Sequence, residues 1–225
     1  MKTLFIESES NIEINIPSEH INKLPQEIAI FTTVQFSQNL PKIIKAIEDT
    51  GRTVKLLKGR HTQYPGQILG CEFLKYDAEA FLYIGDGKFH PEAIMMQNLD
   101  KQVFQFNPFD HSLKELDKTE IERIIKKHKG AIVTFLSKTN IGVIVTTKPG
   151  QGFLKRALEF KALCEKKDKN AYLFICDTVD FNQIENFPFV ECWVNSACPR
   201  IALDDKEKFN KPVVNMEDVW EYVKE

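Results

Sequence analysis

The sequence predicts an α/β protein built from two related small domains, each a mostly parallel sheet flanked by helices. Three observations carry that reading. Several short runs are apolar at nearly every position, the signature of strands covered on both faces. Amphipathic helical patterns alternate with these runs. A Thr-Thr step recurs in both halves, at Thr32-Thr33 and Thr146-Thr147, each time after an apolar run and ahead of a glutamine (Gln35, Gln151) and a helix start. A length of 225 residues and a hydrophobic content of 43% allow two small domains with cores of their own. The expected division is 1–24 as a linker with a lone strand, 25–128 as one domain and 129–225 as the next.

Strands are expected at 4–7, 28–32, 53–57, 80–84, 103–106, 131–135, 141–146, 171–176, 190–194 and 212–214. The first helix shows Leu40, Ile43, Ile44 and Ile47 on one face, with Pro41 near its start and Gly51 past its end. The second starts at Thr119, where Glu122 completes a capping box, carries Ile121, Ile124 and Ile125, and is expected to stop at Gly130. A third begins near Gly150 and carries Phe153, Ala157, Phe160 and Cys164. A fourth follows Asn215 and carries Met216, Val219, Trp220 and Val223.

Composition narrows the function classes. Net charge is −2 and there are only five arginines, so a broad basic surface for nucleic acid is not indicated and no direct nucleic-acid partner is expected. Glu7 interrupts the first apolar residues too early for a signal peptide, and no run approaches the ~18 apolar residues of a membrane span. A soluble, cytoplasmic protein with no membrane partner is expected. Five irregularly spaced cysteines make a disulfide framework improbable and leave free thiols in a reducing compartment.

Two of those thiols stand in turn-forming surroundings. Cys71 closes Tyr64-Pro65-Gly66-Gln67-Ile68-Leu69-Gly70-Cys71, and Cys198 sits in Asn195-Ser196-Ala197-Cys198-Pro199-Arg200. Glycine and proline let the backbone turn sharply and approach a ligand, and both loops fall beyond the carboxyl ends of strands, where open α/β sheets collect ligands. The bland alternative for each is a small residue filling space under a turn. Cys164 continues a helical stripe and Cys192 alternates with Val194 in a strand, so both read as core, while Cys176 ends a strand beside Asp177. No CxxC or CxxxCxxC spacing is present, so a metal site has to be assembled across the fold.

Other signals are weaker. The glycine-flanked Asp86 of Gly85-Asp86-Gly87 reads equally as a contact for a ligand amine or hydroxyl and as a plain turn. Thr146-Thr147-Lys148-Pro149-Gly150-Gln151-Gly152 opens a helix able to hold a carboxylate or phosphate, without the Walker or GxGxxG patterns. His61 and His90 lie in these loops and titrate in a useful range. His20, His111 and His128 are assigned no chemistry.

Taken in order, Thr32-Thr33-Val34-Gln35, the loop ending at Cys71, Phe81-Leu82-Tyr83-Ile84-Gly85-Asp86-Gly87-Lys88-Phe89-His90-Pro91, Thr147-Lys148-Pro149-Gly150-Gln151 and Asn195-Ser196-Ala197-Cys198-Pro199-Arg200-Ile201-Ala202 resemble the diphthamide synthase family. These are the 2-(3-amino-3-carboxypropyl)histidine synthases of archaea and eukaryotes. The resemblance implies three domains of similar fold, each giving one cysteine to a 4Fe-4S cluster, with the fourth iron open to S-adenosylmethionine. It implies transfer of a 3-amino-3-carboxypropyl group, by way of a carbon radical, to a histidine of translation elongation factor 2.

By motif, Cys71 and Cys198 match the second- and third-domain metal ligands. The matching loops also supply the substrate-binding candidates Thr33, Gln35, Gly66, Gln67, Gly85, Asp86, Gly87, His90, Lys148, Gly150, Gln151 and Arg200. The first domain of the pattern is absent, and residues 4–7 read as the tail of it. The resemblance therefore implies a homo- or hetero-oligomer in which another chain supplies the third cysteine. The alternative role is a non-catalytic subunit or scaffold of a synthase complex. A metal-free phosphate-binding protein is a third.

Overall fold

The structure is a computed structural model that describes residues 4, 6–59, 62–70, 75–148 and 152–224. It forms two units, Met1–Glu122 and Arg123–Glu225. In the first, a short helix α1 (Ser18–Ile21) leads into strand β1 (Glu27–Thr32), a 3-10 segment (Val34–Asn39) and helix α2 (Leu40–Glu48). Then follow β2 (Thr53–Lys55), β3 (Ala80–Ile84), α3 (Phe89–Gln97), β4 (Gln102–Phe106) and β5 (Leu113–Glu115). The sheet order is β2-β1-β3-β4-β5, parallel except for the β4–β5 pair. Every residue of β3 is buried, as its unbroken apolar run requires of a central strand covered on both faces.

One face of this sheet packs Ile28, Ile30, Leu82 and Phe106 against Leu40, Ile43 and Ile47 of α2, the stripe expected from the sequence. Segment 11–24 closes the same core. Ile14, Ile21 and Leu24 are buried there, and the side chain of Asn39 clamps the segment by accepting from the Ile14 amide and donating to the Ile12 carbonyl. The strand expected at 4–7 does not form among the described residues of that stretch. Leu4 and Ile6 are 82% and 83% exposed, because no sheet edge receives their backbone.

Helix α4 (Lys118–Ser137) runs across the boundary of the units and corrects two expectations. It does not stop at Gly130, and 131–135 is helix rather than strand. Gly130 is not among the residues with positive φ, so it is no C-cap, and a Cβ there would meet nothing. Ala131, Ile132 and Phe135 fall on one helical face and enter the core of the second unit.

The second unit continues with β6 (Asn140–Thr146), α5 (Leu154–Lys166), β7 (Asn170–Cys176), α6 (Phe181–Ile184), β8 (Cys192–Asn195), α7 (Ile201–Asp204), a 3-10 turn (Lys206–Lys208), β9 (Val213–Asn215) and α8 (Met216–Lys224). The order is β7-β6-β8-β9, parallel throughout. This repeats the first unit strand for strand if β1, β2, β3 and β4 are matched to β6, β7, β8 and β9. Alanine, phenylalanine and cysteine at 157, 160 and 164 of α5 and Val219 and Val223 of α8 cover one face. Trp193, Ile144 and Val213 lie on the other, under the short α6 and α7.

Candidate functional site

In each unit the chain leaves the first parallel strand to one side and returns on the other, so the sheet has a switch point: between β1 and β3, and between β6 and β8. Strand ends splay apart at such a point and open a crevice for a ligand. Here one hydroxyl stitches each pair at its carboxyl end. Thr32 Oγ1 donates to the Ile84 carbonyl at 2.8 Å, and Ser196 Oγ donates to the Ile144 carbonyl at 2.8 Å.

Cys198 stands on the second crevice, three residues beyond the end of β8, as a free, partly exposed thiol. Its loop is held from beneath by Asn195, which is 2% exposed. The amide nitrogen of Asn195 donates to the Cys198 carbonyl and to Asn215 Oδ1, both at 2.8 Å, and its oxygen accepts from the Ala197 amide. Arg200 is 4% exposed and its Nε donates to Asp204 at 2.7 Å, so it pins the exit of the loop to α7. Across the crevice, Thr147 and Lys148 follow β6 and are exposed. Thr147 is anchored by its amide to the Cys176 carbonyl.

The other described cysteines differ. Cys164 and Cys192 are fully buried, and burial pushes both thiols up to about 12. Cys176 is partly buried, and burial followed by the nearby Asp177 carboxylate raises it as well.

At the first switch point, loop 64–70 lies along the end of β1: the Thr32 amide donates to the Gly66 carbonyl and the Ile68 amide to the Thr32 carbonyl. Gly66 takes φ +78°, and Gln67 is buried with its side-chain oxygen accepting from the amides of Gln63 and Tyr64. Gly70 sits so close to Phe89 that a Cβ would come within 1.8 Å of the ring. Cys71 itself, with Gly150, Gln151 and His61, lies outside the described residues.

After β3, Gly85 and Gly87 have positive φ, and Gln105 Nε2 of β4 donates to both of their carbonyls, at 3.0 and 2.8 Å. Asp86 between them is exposed. His90 Nδ1 is 3.2 Å from the Tyr83 hydroxyl, with the rings stacked; burial, then Asp86, raises the Tyr83 phenol. Thr33 Oγ1 is buried without a hydrogen-bond partner, and Gln35 is half-buried.

The geometry thus gathers Thr33, Gly66, Gln67, Gly85, Asp86, Gly87 and His90 at one carboxyl edge, and Lys148, Cys198 and Arg200 at the other. Gln67 and Arg200 hold loops in shape, whereas Asp86 and Lys148 present their charges to solvent. Sequence reasoning missed the buttresses Asn195, Asn215 and Gln105. An asparagine at the last position of a buried apolar strand was the available signal, since a buried amide must find partners. Among the described residues no three His, Cys, Asp or Glu side chains converge as a metal site.

A family described as "Putative diphthamide synthesis protein" matches residues 1–222. A 2-(3-amino-3-carboxypropyl)histidine synthase of Pyrococcus horikoshii is 33% identical over 88% of this chain and 58% of its own length. Subunit 1 of the Caenorhabditis elegans synthase is 29% identical over 95% of this chain and 55% of its own. A crystal structure of Dph2 from Pyrococcus horikoshii with a 4Fe-4S cluster superposes with a TM-score of 0.80 at 29% identity, over 96% of this chain and 64% of that one. The chain spans little more than half the length of these curated relatives. With a family match along nearly its whole length and the same mostly parallel α/β architecture, this chain belongs to the diphthamide synthesis protein family.

Proposed function

We propose that this chain supplies two of three cysteine-bearing lobes of a 2-(3-amino-3-carboxypropyl)histidine synthase. The two lobes are those expected at 25–128 and 129–225. The reaction is transfer of the 3-amino-3-carboxypropyl group of S-adenosylmethionine to a histidine of translation elongation factor 2, in the cytoplasm. The observation that carries the proposal is the placement of Cys198: a partly exposed thiol on a braced loop at a switch point, while Cys164 and Cys192 are buried in the core.

These residues fit an iron–sulfur centre as far as one described thiol can. A soft thiolate on a short, rigid loop suits iron, and the loop is fixed before any metal arrives. Cys71 is the second proposed ligand, and a partner chain gives the third. When bound, a reduced 4Fe-4S cluster held by these thiolates would supply the one electron needed to cleave the carbon–sulfur bond of S-adenosylmethionine, with methylthioadenosine as the leaving group and the 3-amino-3-carboxypropyl group released as a carbon radical. The chain's own groups do the rest. Cys198 gives up its proton on ligating, Asn195 keeps the loop from swinging, and exposed Lys148 offers its charge to the carboxylate of the substrate. Thr33, with a buried hydroxyl lacking a partner, offers one more hydrogen bond.

The test is transfer of label from carboxypropyl-labelled S-adenosylmethionine to elongation factor 2, under strict anaerobiosis, with a complementing chain that carries the remaining lobe. Label is expected only when both chains are present, and it drops at least a hundredfold with Cys198→Ala. Unchanged transfer with Cys71→Ala and Cys198→Ala would instead favour the second reading, a scaffold subunit.

A further inference from the structure

A cavity of about 450 Å³ opens in the second unit where β9 begins, at the end of the parallel sheet opposite the one that carries Cys198. Its walls come from one face of α4, from the 3-10 turn after α7 and from the chain entering β9. The volume is that of a small-molecule site. Part of the lining is apolar, with Ala131, Ala202, Phe209 and Val213. Lys148, Cys198 and Arg200 do not line it.

Two features of this lining have no use within the chain, and the first is charge. Among the described residues the lining holds three lysines, Lys127, Lys206 and Lys211, against one carboxylate residue, Glu207. The neighbouring carboxylates are already matched: Glu207 by Lys127 at 3.1 Å, Asp204 by Arg200 at 2.7 Å and Asp205 by Lys208 at 2.8 Å. Lys206 and Lys211 are left, among the described residues, with neither an ion pair nor a hydrogen bond. Lys206 is half-buried; burial first and the Lys127 charge second push its ammonium below the ordinary value of 10.5, against a weaker opposing pull from Glu207 and Asp204. An anion beside these lysines would offset that repulsion. The second feature is Gly130, in the interior of α4, where glycine weakens a helix. It is not a cap, and a Cβ there would meet nothing, so no contact within the chain calls for glycine. Its effect is bare backbone on the cavity wall, on the same helical face as Lys127, where an apolar group can lie close.

We propose that this cavity binds a small phosphate monoester with an apolar body, its head received by Lys206 and Lys211 and its body lying against Gly130 and Ala131. Two surplus ammonium groups balance such a head, which carries about −1.5 to −2 at neutral pH. The test titrates 1-naphthyl phosphate, 1-naphthol and inorganic phosphate onto the intact chain by ligand-observed NMR. 1-Naphthyl phosphate is expected to bind saturably and at least tenfold more tightly than either of the others, which carry only its body or only its head. Lys206→Gln removes a charge that has no partner and Gly130→Leu fills the wall from a position with nothing beside it; each is expected to weaken binding at least tenfold. No saturable binding, or naphthol or phosphate bound as tightly as the monoester, would overturn the proposal, as would full affinity in either variant. The comparison of the three compounds on the parent chain decides even where a variant fails to fold.

Discussion

The two sheets share one strand order but present their cysteine motifs from different connections. In the first unit the motif ending at Cys71 belongs to the crossover between β2 and β3, and its described part is zipped along the end of β1 through Gly66 and Ile68. In the second, Cys198 belongs to the crossover between β8 and β9 and is braced from below by Asn195 and Asn215. The sheets therefore repeat the scaffold and not the site. Yet each uses an amide side chain from the outer neighbouring strand, Gln105 of β4 or Asn215 of β9, to steady the loop after β3 or β8. A duplicated sheet supplies a crevice, and local loop chemistry decides what is put on it.

Reactivity gives the sharpest contrast within one unit. With thiols near 12, about one in ten thousand Cys164 and Cys192 side chains is thiolate at pH 8, and neither is reachable from solvent. Iodoacetamide mapped by mass spectrometry is expected to modify Cys198 at least a thousandfold faster than either. Equal rates would mean that the loop is packed like the core.

Removing the brace should separate the units next. Asn195→Ala strands the Ala197 amide and the Asn215 side chain in a buried setting and is expected to cost about 2–3 kcal/mol in denaturant unfolding. The matching change in the first unit, Gln105→Ala, acts on a partly exposed pair of bonds and should cost only about 1 kcal/mol. A larger loss for Gln105→Ala would reverse the comparison.

The smallest effect lies where the central strands begin. Glu191 accepts from the amides of Asn140 and Thr139 ahead of β6, and chiefly the Asn140 bond holds its carboxyl below the ordinary value of 4.5, with Lys138 helping. Because the folded value is the lower one, this stabilisation is present above pH 4.5 and is lost as the pH falls through the folded value. Glu191→Gln should lower the Tm by a small amount at pH 7, and the difference from the parent should shrink steadily as the pH falls below 4.5. Among the described residues β1 shows no such carboxylate cap, and it starts beside the Lys55–Glu27 ion pair.

Much of this scaffold is legible in the residues. The bounds of β3 follow from an unbroken apolar run, and the buried faces of α2, α5 and α8 from helical spacing. Gly130 misleads because glycine punctuates a helix only when it turns left-handed, and here tertiary packing of Phe135 carries the helix through. Helix α3 is hidden because Pro91 and 93–96 are all buried, which leaves no stripe to read. At the site, Cys198 is visible from the Pro199 that follows it in a loop just past an apolar strand, but the buttressing amides depend on which strands become neighbours, and strand order is not written in local pattern.

The most direct test of the proposed cluster is anaerobic reconstitution with iron and sulfide, with the complementing chain present, followed by EPR of the dithionite-reduced sample. A reducible 4Fe-4S signal is expected that falls by more than tenfold in Cys71→Ala and in Cys198→Ala alike. A signal of full intensity in either variant would contradict the assignment of these two thiols to one cluster.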